Sequence, residues 1–373
     1  MSAPTPILFT IPNFVTAGSG RALWHVAKRL DRRRFTPHVA ISAAGGKLAA
    51  EFEAEGIPVH VLPFTVPGTP RRDLAARLWA AARPFRAFRF RLWHSYHYAD
   101  DYTEGLIAGL AGARWLYTKK NMSWGSNAWN ARTFVASGIA VQNRDMMERF
   151  FDRPWKQKRA RLVERGVDAQ RFQPGTPARL GVRAAHGIPE GAVLATTVAQ
   201  IIPRKGLEAL LHAVARVPGL HLVIAGPRMD EAYAQKIDAL RVELGLVPRV
   251  HLIGTVADVP ALLAESDLFT LVSRAEGSPV ALLEAMACGV PCLAARVAGS
   301  TDIVREGQDG LLVDVDHVEQ IAAALAELAG SAARRAELGR AARARIVDRY
   351  TIEREVADHE RLYDEVLARR WRW

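Results

Sequence analysis

The chain has 373 residues, 49% hydrophobic and 24% charged, with no low-complexity tract, a composition that fits a globular protein with core enough for more than one domain. No apolar run approaches the ~20 residues needed to span a bilayer, and the N-terminal MSAPTPILFT lacks the basic region of an export signal, so the expectation is a cytoplasmic protein. The formal net charge of +11 is uneven: residues 1–172 carry +14 and residues 173–373 carry −3, so the first half calls for an anionic partner.

The first strand-length apolar run, 7–11, leads into Thr16-Ala17-Gly18-Ser19-Gly20 and a helix over 21–30. A glycine-rich turn between strand and helix lets a ligand approach the backbone, although a plain tight turn reads the same way. Further runs at 38–42, 59–64, 90–95, 114–118 and 139–142 alternate with helical patterns. Among them, residues 71–93 set Arg71, Arg72, Arg77, Arg83, Arg86, Arg89 and Arg91 against Asp73 alone, interleaved with Trp79, Phe85, Phe88, Phe90 and Trp93. That mixture suits an anionic membrane surface or nucleic acid, and also a solvated helix face whose aromatics belong to the core. The spacing lapses between about 145 and 190, where Asp152-Arg153-Pro154 and Gln173-Pro174-Gly175-Thr176-Pro177 have the composition of a linker.

A second set of runs follows at 193–198, 221–225, 250–254, 268–273, 291–295 and 311–314. After the first of these, Arg204 and Lys205 stand at a helix start, where the dipole disfavours cations unless an anion offsets them, so Lys205 is a candidate phosphate ligand. After 268–273 comes Ala275-Glu276-Gly277-Ser278-Pro279-Val280, with Ser278 read as the N-cap and Pro279 as the first helical residue. Glu284 then lies roughly 7–8 Å further along that helix. Two carboxylates attract hydroxyls and a helix start attracts an anion, so a nucleotide sugar satisfies both; the pair by itself also reads as an ordinary acidic helix start. Gly299 and Ser300 open a third helix start. Cys288 and Cys292, the only cysteines, lack companion ligands for zinc and read as buried thiols of a reducing compartment. Residues 351–367 form a charged helix, with Ile352, Val356, His359, Tyr363 and Val366 near helical spacing. The tail Arg369-Arg370-Trp371-Arg372-Trp373 reads as a disordered end or an interfacial anchor.

Two sets of apolar strands alternating with helices describe an α/β protein of two doubly wound, Rossmann-like domains, which bind ligands at the carboxyl ends of their strands. The expected division is 1–172, 173–350 and a terminal helix and tail over 351–373, with the site in a cleft between the two domains.

AEGSPVALLEAMACGVPCLA, Gln200–Gly206 and the turn at 299–303, in this order, resemble the donor-site segments of the family 4 retaining glycosyltransferases of GT-B fold; His94-Ser95-Tyr96-His97 and Arg165-Gly166-Val167-Asp168 resemble other family segments less specifically. The resemblance implies transfer of a sugar from a nucleoside diphosphate donor held by the C-terminal domain, with no metal and no bound cofactor. Carried onto this chain, it gives Glu276 the donor sugar's hydroxyls and Glu284 the ribose, with Lys205 stabilising the departing diphosphate. Arg204, Gly277, Ser278, Pro279, Val280, Gly18, Ser19, Gly299 and Ser300 line the donor, and His94, His97, Lys119 and Lys120 face the acceptor. Three departures stand out: Ala199-Gln200 replaces Gly-Arg, Thr118-Lys119-Lys120-Asn121 stands where many members have a His, with Lys120 a second cation if it occupies that place, and Asp302 stands for Glu. The basic half then points to an anionic or lipid-linked saccharide acceptor in cell-envelope or lipopolysaccharide synthesis, at the inner face of the plasma membrane. Two rivals remain: a nucleotide-sugar hydrolase or epimerase on the same fold, and a basic, non-enzymatic nucleic-acid binder, although no nucleic acid is expected under the main reading.

Overall fold

A computed structural model describes residues 3–14, 17–46, 48–97 and 99–369. The chain forms two compact units, one running to Glu164 and rejoined by the helix that starts at Ile352, the other spanning Arg165–Thr351.

In the first unit the described strands are β1 (Thr5–Ile11), β2 (Phe35–Ile41), β3 (Val59–Val61), β4 (Leu92–Ser95), β5 (Arg114–Lys119), β6 (Gly138–Val141) and β7 (Ala160–Leu162). They lie parallel in the order β3-β2-β1-β4-β5-β6-β7. Central strands such as β4 and β6 are buried on both faces, which is why their sequences, LWHS and GIAV, show no polar alternation. The second unit repeats the scheme with β8 (Leu194–Val198), β9 (His221–Ala225), β10 (Val250–Gly254), β11 (Leu268–Leu271), β12 (Cys292–Ala295) and β13 (Leu311–Val313), in the order β10-β9-β8-β11-β12-β13. Each sheet therefore reverses its strand order once, at β1/β4 and at β8/β11, and crevices at such reversals are where doubly wound sheets take ligands.

All twelve apolar runs read from the sequence become strands. The thirteenth, β7, falls in the stretch read as a spacing lapse; its three residues (ARL) are too few and too polar to stand out. The neighbouring Asp152-Arg153-Pro154 is likewise not a linker, because Pro154 opens a short helix, Pro154–Gln157. The division between units falls at 164/165, not 172/173. Residues 165–172 join the second unit because Val167 N donates to Tyr350 O at 2.8 Å and Arg343 donates to the carbonyls of Ala169 and Phe172.

The terminal helix Ile352–Ala368 is not a separate element; it returns to the first unit. Its stripe of Ile352, Val356, His359, Tyr363 and Val366 is buried, and Gly138 leaves room for Val366, whose Cγ2 would lie 2.6 Å from a Cβ placed there. Glu360 takes the Asp31 amide at 2.8 Å and Arg34 at 2.5 Å, fixing the helix at the start of β2. Each large apolar side chain fully buried this way contributes about 1.5–3 kcal/mol. Of the basic tail, only Arg369 is among the described residues; it donates to the Ser137 and Lys158 carbonyls.

Candidate functional site

The second unit gathers three loops at the carboxyl ends of β8, β11 and β12. After β8 the chain makes a single 3₁₀ turn, Pro203–Lys205, and then the helix Leu207–Ala215. Gly206 joins them at φ 64°, where a Cβ would lie 2.2 Å from the Val272 carbonyl oxygen. Only glycine fits so close an approach in a left-handed conformation, and the loop after β11 is thereby drawn against the 3₁₀ turn. Three contacts hold the two loops together. Arg274 N donates to Arg204 O at 2.8 Å, the Arg204 guanidinium donates to Ala275 O at 3.2 Å, and Lys205 Nζ pairs with Glu276 Oε1 at 2.6 Å. Arg204, read as a donor-binding cation, thus fastens one loop to the other.

The helix after β11 runs Val280–Ala287 with Pro279 as its cap residue, one position later than the sequence reading, and Ser278 makes no capping hydrogen bond. Glu284 is therefore the fifth helical residue. No hydrogen-bond donor among the described residues reaches its carboxylate, and burial pushes its pKa up to about 7, opposed weakly by Arg171. A partly buried carboxylate kept without a partner is costly, so the fold holds Glu284 in a state that donor hydroxyls from a ligand would relieve.

The third loop enters through Gly299 at φ 80°, where a Cβ would stand 2.6 Å from the Gly277 carbonyl oxygen. Ser300 starts the short helix Ser300–Ile303, and its hydroxyl is buried without a hydrogen-bond partner among the described residues, as is that of Ser273, two residues past the end of β11. Ser273 escaped the sequence reading because it lies at the end of an apolar run. The expected residues Lys205, Glu276, Gly277, Pro279, Gly299 and Ser300 are thus brought together on adjoining loops. Both cysteines are free, with thiols pushed up by burial, Cys288 to about 12.

The first unit treats its candidates differently. Gly18 and Ser19 lie inside the helix Ala17–Arg29, not in a turn before it, and a Cβ on Gly18 meets nothing within 4 Å. His94 is a core residue and not an acceptor-facing one. It is fully buried on β4, Nδ1 to Tyr363 Oη at 2.7 Å and Nε2 to Thr118 Oγ1 at 2.8 Å, with a pKa well below the usual histidine value chiefly from desolvation. His97 is partly buried, and desolvation lowers its pKa too. Lys119 is buried among Trp124, Trp129 and Phe150, bonded to Asn121 Oδ1 at 2.5 Å and to the Ser123 carbonyl, and desolvation lowers its pKa to about 7. Lys120 holds the Tyr96 carbonyl at 2.6 Å. His94, Lys119 and Lys120 therefore hold the unit together.

Beneath them lies a charged network. Glu104 and Arg132 are both fully buried, 3.8 Å apart. Glu104 accepts from Thr10, from Trp93 Nε1 at 3.1 Å and from Ser95 Oγ at 2.7 Å, and Arg132 donates to the Asp101 and His97 carbonyls.

Comparison with known proteins follows this division. Residues 181–345 match the family described as glycosyl transferases group 1, and residues 16–171 match glycosyltransferase family 4. The chain belongs to glycosyltransferase family 4. A GDP-mannose-dependent α-(1-6)-phosphatidylinositol monomannoside mannosyltransferase of Mycolicibacterium smegmatis is 31% identical over 191 residues, 48% of this chain and 49% of that one, so this chain spans about half the length of that relative. A glycosyltransferase of Rickettsia africae superposes with a TM-score of 0.87 at 18% identity, covering 98% of this chain and 100% of its own. Anabaena Alr3699/HepE in complex with UDP and glucose superposes with a TM-score of 0.80 at 20% identity, covering 96% and 98%. These likenesses establish a GT-B glycosyltransferase fold. The match to glycosyl transferases group 1 spans the three loops just described, with the ion pair Lys205–Glu276 and Glu284 inside it.

Proposed function

We propose that this chain transfers a sugar from a nucleoside diphosphate sugar to a saccharide acceptor, with retention of anomeric configuration and without a metal or bound cofactor. The observation that carries the reading is the pairing of Lys205 with Glu276 at the β8/β11 reversal, beside the helix that bears Glu284. In the proposed reaction the bond between the sugar's anomeric carbon and the diphosphate oxygen breaks, and a bond to an acceptor hydroxyl oxygen forms on the same face. The acceptor proton leaves with the departing diphosphate. Charge grows on that diphosphate, and a preorganised cation and helix-start amides act where it grows. Lys205 supplies the cation, Glu276 accepts sugar hydroxyls, and Glu284 accepts the ribose hydroxyls.

For the acceptor we propose an anionic or lipid-linked saccharide of the cell envelope, handled by the basic first unit at the inner membrane surface. Support comes from the helix Leu74–Arg86 and the turn after it. Leu78, Ala82 and Phe85 face the core, while Trp79 and Phe88 are exposed at 52% and 38%. Arg71, Arg72, Arg83, Arg86, Arg89 and Arg91 surround them, and none has an ion-pair partner among the described residues. Unpaired cations around exposed aromatics suit an anionic interface. The relative that acts on a phosphatidylinositol mannoside points the same way. No described helix is long and apolar enough to cross a membrane.

The test is thermal stabilisation by a panel of nucleotide sugars, because a ligand bound only to the folded chain raises Tm, followed by product formation with and without saccharide acceptors. Stabilisation by none of them would sink the donor reading. Sugar release independent of acceptor would indicate a hydrolase.

A further inference from the structure

The first unit contains a cavity of about 670 Å³ that none of the readings above uses. It lies between the loop after β5, the helix Arg144–Phe150 and the short helix Pro154–Gln157. Its volume falls within the range of small-molecule sites, roughly 300–1,000 Å³. Trp124, stacked on Phe150 at 5.1 Å, and Trp155 form aromatic walls. Lys156 is buried between the two indoles, its Nζ 4.5 Å from the Trp124 centroid and 5.6 Å from that of Trp155, and it spends one hydrogen bond, at 3.1 Å, on the Phe150 carbonyl. At the rim Arg149 and Arg153 are exposed; neither forms an ion pair with a described residue, and the Arg149 guanidinium lies 5.8 Å from the Phe150 ring centroid. Asp152, opposite in charge, and the neutral Asn130 also line the space.

Three cations against one acid define an anion site, and guanidinium groups are the side chains best shaped for phosphate or carboxylate oxygens. A bare anion would leave Asp152 facing like charge, and would leave most of the volume unfilled. A ligand carrying both an anionic group and several hydroxyls satisfies the whole lining, its hydroxyls donating to Asp152 and Asn130. We propose that this cavity, lined by first-unit residues, binds a phosphorylated sugar. The proposal does not rest on the donor reading, because every lining residue belongs to the first unit. The sugar phosphate has two sources, a free metabolite or a phosphorylated residue within a glycan chain, and the chemistry is the same.

The experiment is a tryptophan-fluorescence titration of the full chain with glucose 6-phosphate, methyl α-glucoside 6-phosphate, glucose and inorganic phosphate. Saturable quenching by the two phosphorylated sugars is expected, each bound at least about tenfold more tightly than glucose or phosphate alone. Tighter binding of the blocked glycoside assigns the source to a glycan, and tighter binding of the free sugar phosphate assigns it to a metabolite. Arg149→Ser with Arg153→Ser, both at exposed positions that leave the core intact, is expected to weaken sugar-phosphate binding about tenfold or more and to leave nucleotide-sugar stabilisation unchanged. Asn130→Ala is expected to weaken the sugar phosphates and not inorganic phosphate. Binding of phosphate alone as tight as that of the sugar phosphates overturns the sugar assignment. Absence of saturable quenching, or unchanged binding in the double variant with its Tm retained, overturns the site.

Discussion

Lys205 and Glu276 are 71 residues apart in the chain and 2.6 Å apart in space, with only 13% and 8% of their side chains exposed. In the unliganded protein each neutralises the other. In the proposed reaction each meets a different part of the donor, so binding replaces one ion pair by two sets of ligand contacts.

Removing either partner alone leaves the other partly buried without compensation. Lys205→Ala is expected to lower stability by about 1–3 kcal/mol through the stranded Glu276. Glu276→Gln, which keeps an acceptor oxygen, is expected to cost less. Both should depress transfer by one to two powers of ten, about the loss from one charged hydrogen bond. Denaturant unfolding and kcat/KM measured on the same samples separate the two effects. Loss of stability with full activity would make the pair structural.

Glu284 makes stability depend on pH. Its folded-state pKa is raised from 4.5 to about 7 by burial, so the folded protein disfavours the ionised form. Stability from the neutral carboxyl is fully present below pH 4.5 and is lost as pH rises towards 7. Glu284→Gln is therefore expected to match the parent at pH 4 and to exceed it at pH 8 by on the order of 2 kcal/mol, less than the full equivalent of the shift because the group keeps some solvent. Thermal unfolding across pH 4–8 reads this. The parent should also bind a nucleoside diphosphate more tightly as pH rises to 7, since hydroxyl donors favour the carboxylate, and the Gln variant should lose that dependence. A pH-independent difference in stability would show that Glu284 does not titrate in this window.

Two glycines make opposite predictions. Gly206→Ala would set a Cβ 2.2 Å from the Val272 carbonyl oxygen at φ 64°, and is expected to destabilise by roughly 2–3 kcal/mol or more while parting the two loops. Gly18→Ala, with open space around it inside a helix, is expected to hold or gain up to ~1 kcal/mol. Thermal unfolding of the two variants beside the parent reads both outcomes, and a loss of stability in Gly18→Ala as large as that in Gly206→Ala would contradict the open space at Gly18.

Membrane association has its own measurement. Co-sedimentation with vesicles containing anionic lipid should retain the protein at low salt and release it as salt rises. Replacing Arg72, Arg83 and Arg86 with Ser should release it without altering nucleotide-sugar stabilisation. Unchanged vesicle binding in that variant would return the segment to a solvated helix face.

What could be read before folding followed periodicity. Runs such as LATTV, HLVIA and LFTL are apolar because both sheet faces are covered, and the stripe of the terminal helix is visible at its own spacing. Elements without such contrast were opaque. The polar trio of β7 has none, and nothing in the sequence sets Glu104 and Arg132 apart from other charged residues, although neither reaches solvent. His94 looked available because sequence shows the imidazole and hides the hydroxyls of Tyr363 and Thr118, one of them 269 residues away. Arg204 looked like a ligand for the same reason, since the carbonyl that occupies it belongs to a loop 71 positions later.

The return of Ile352–Ala368 to the first unit has a consequence for synthesis. The sheet β1–β7 is complete once residue 162 has been made, yet the surface around His94, Phe35 and Gly138 stays uncovered until nearly two hundred further residues follow. Units usually fold in the order they emerge. Here the second unit, contiguous in sequence, can close first, and the first waits for the end of the chain to seal it. A stop between Thr351 and Tyr363 would thus be felt furthest from the cut in sequence, as loss of cooperativity in the part of the protein that was made first.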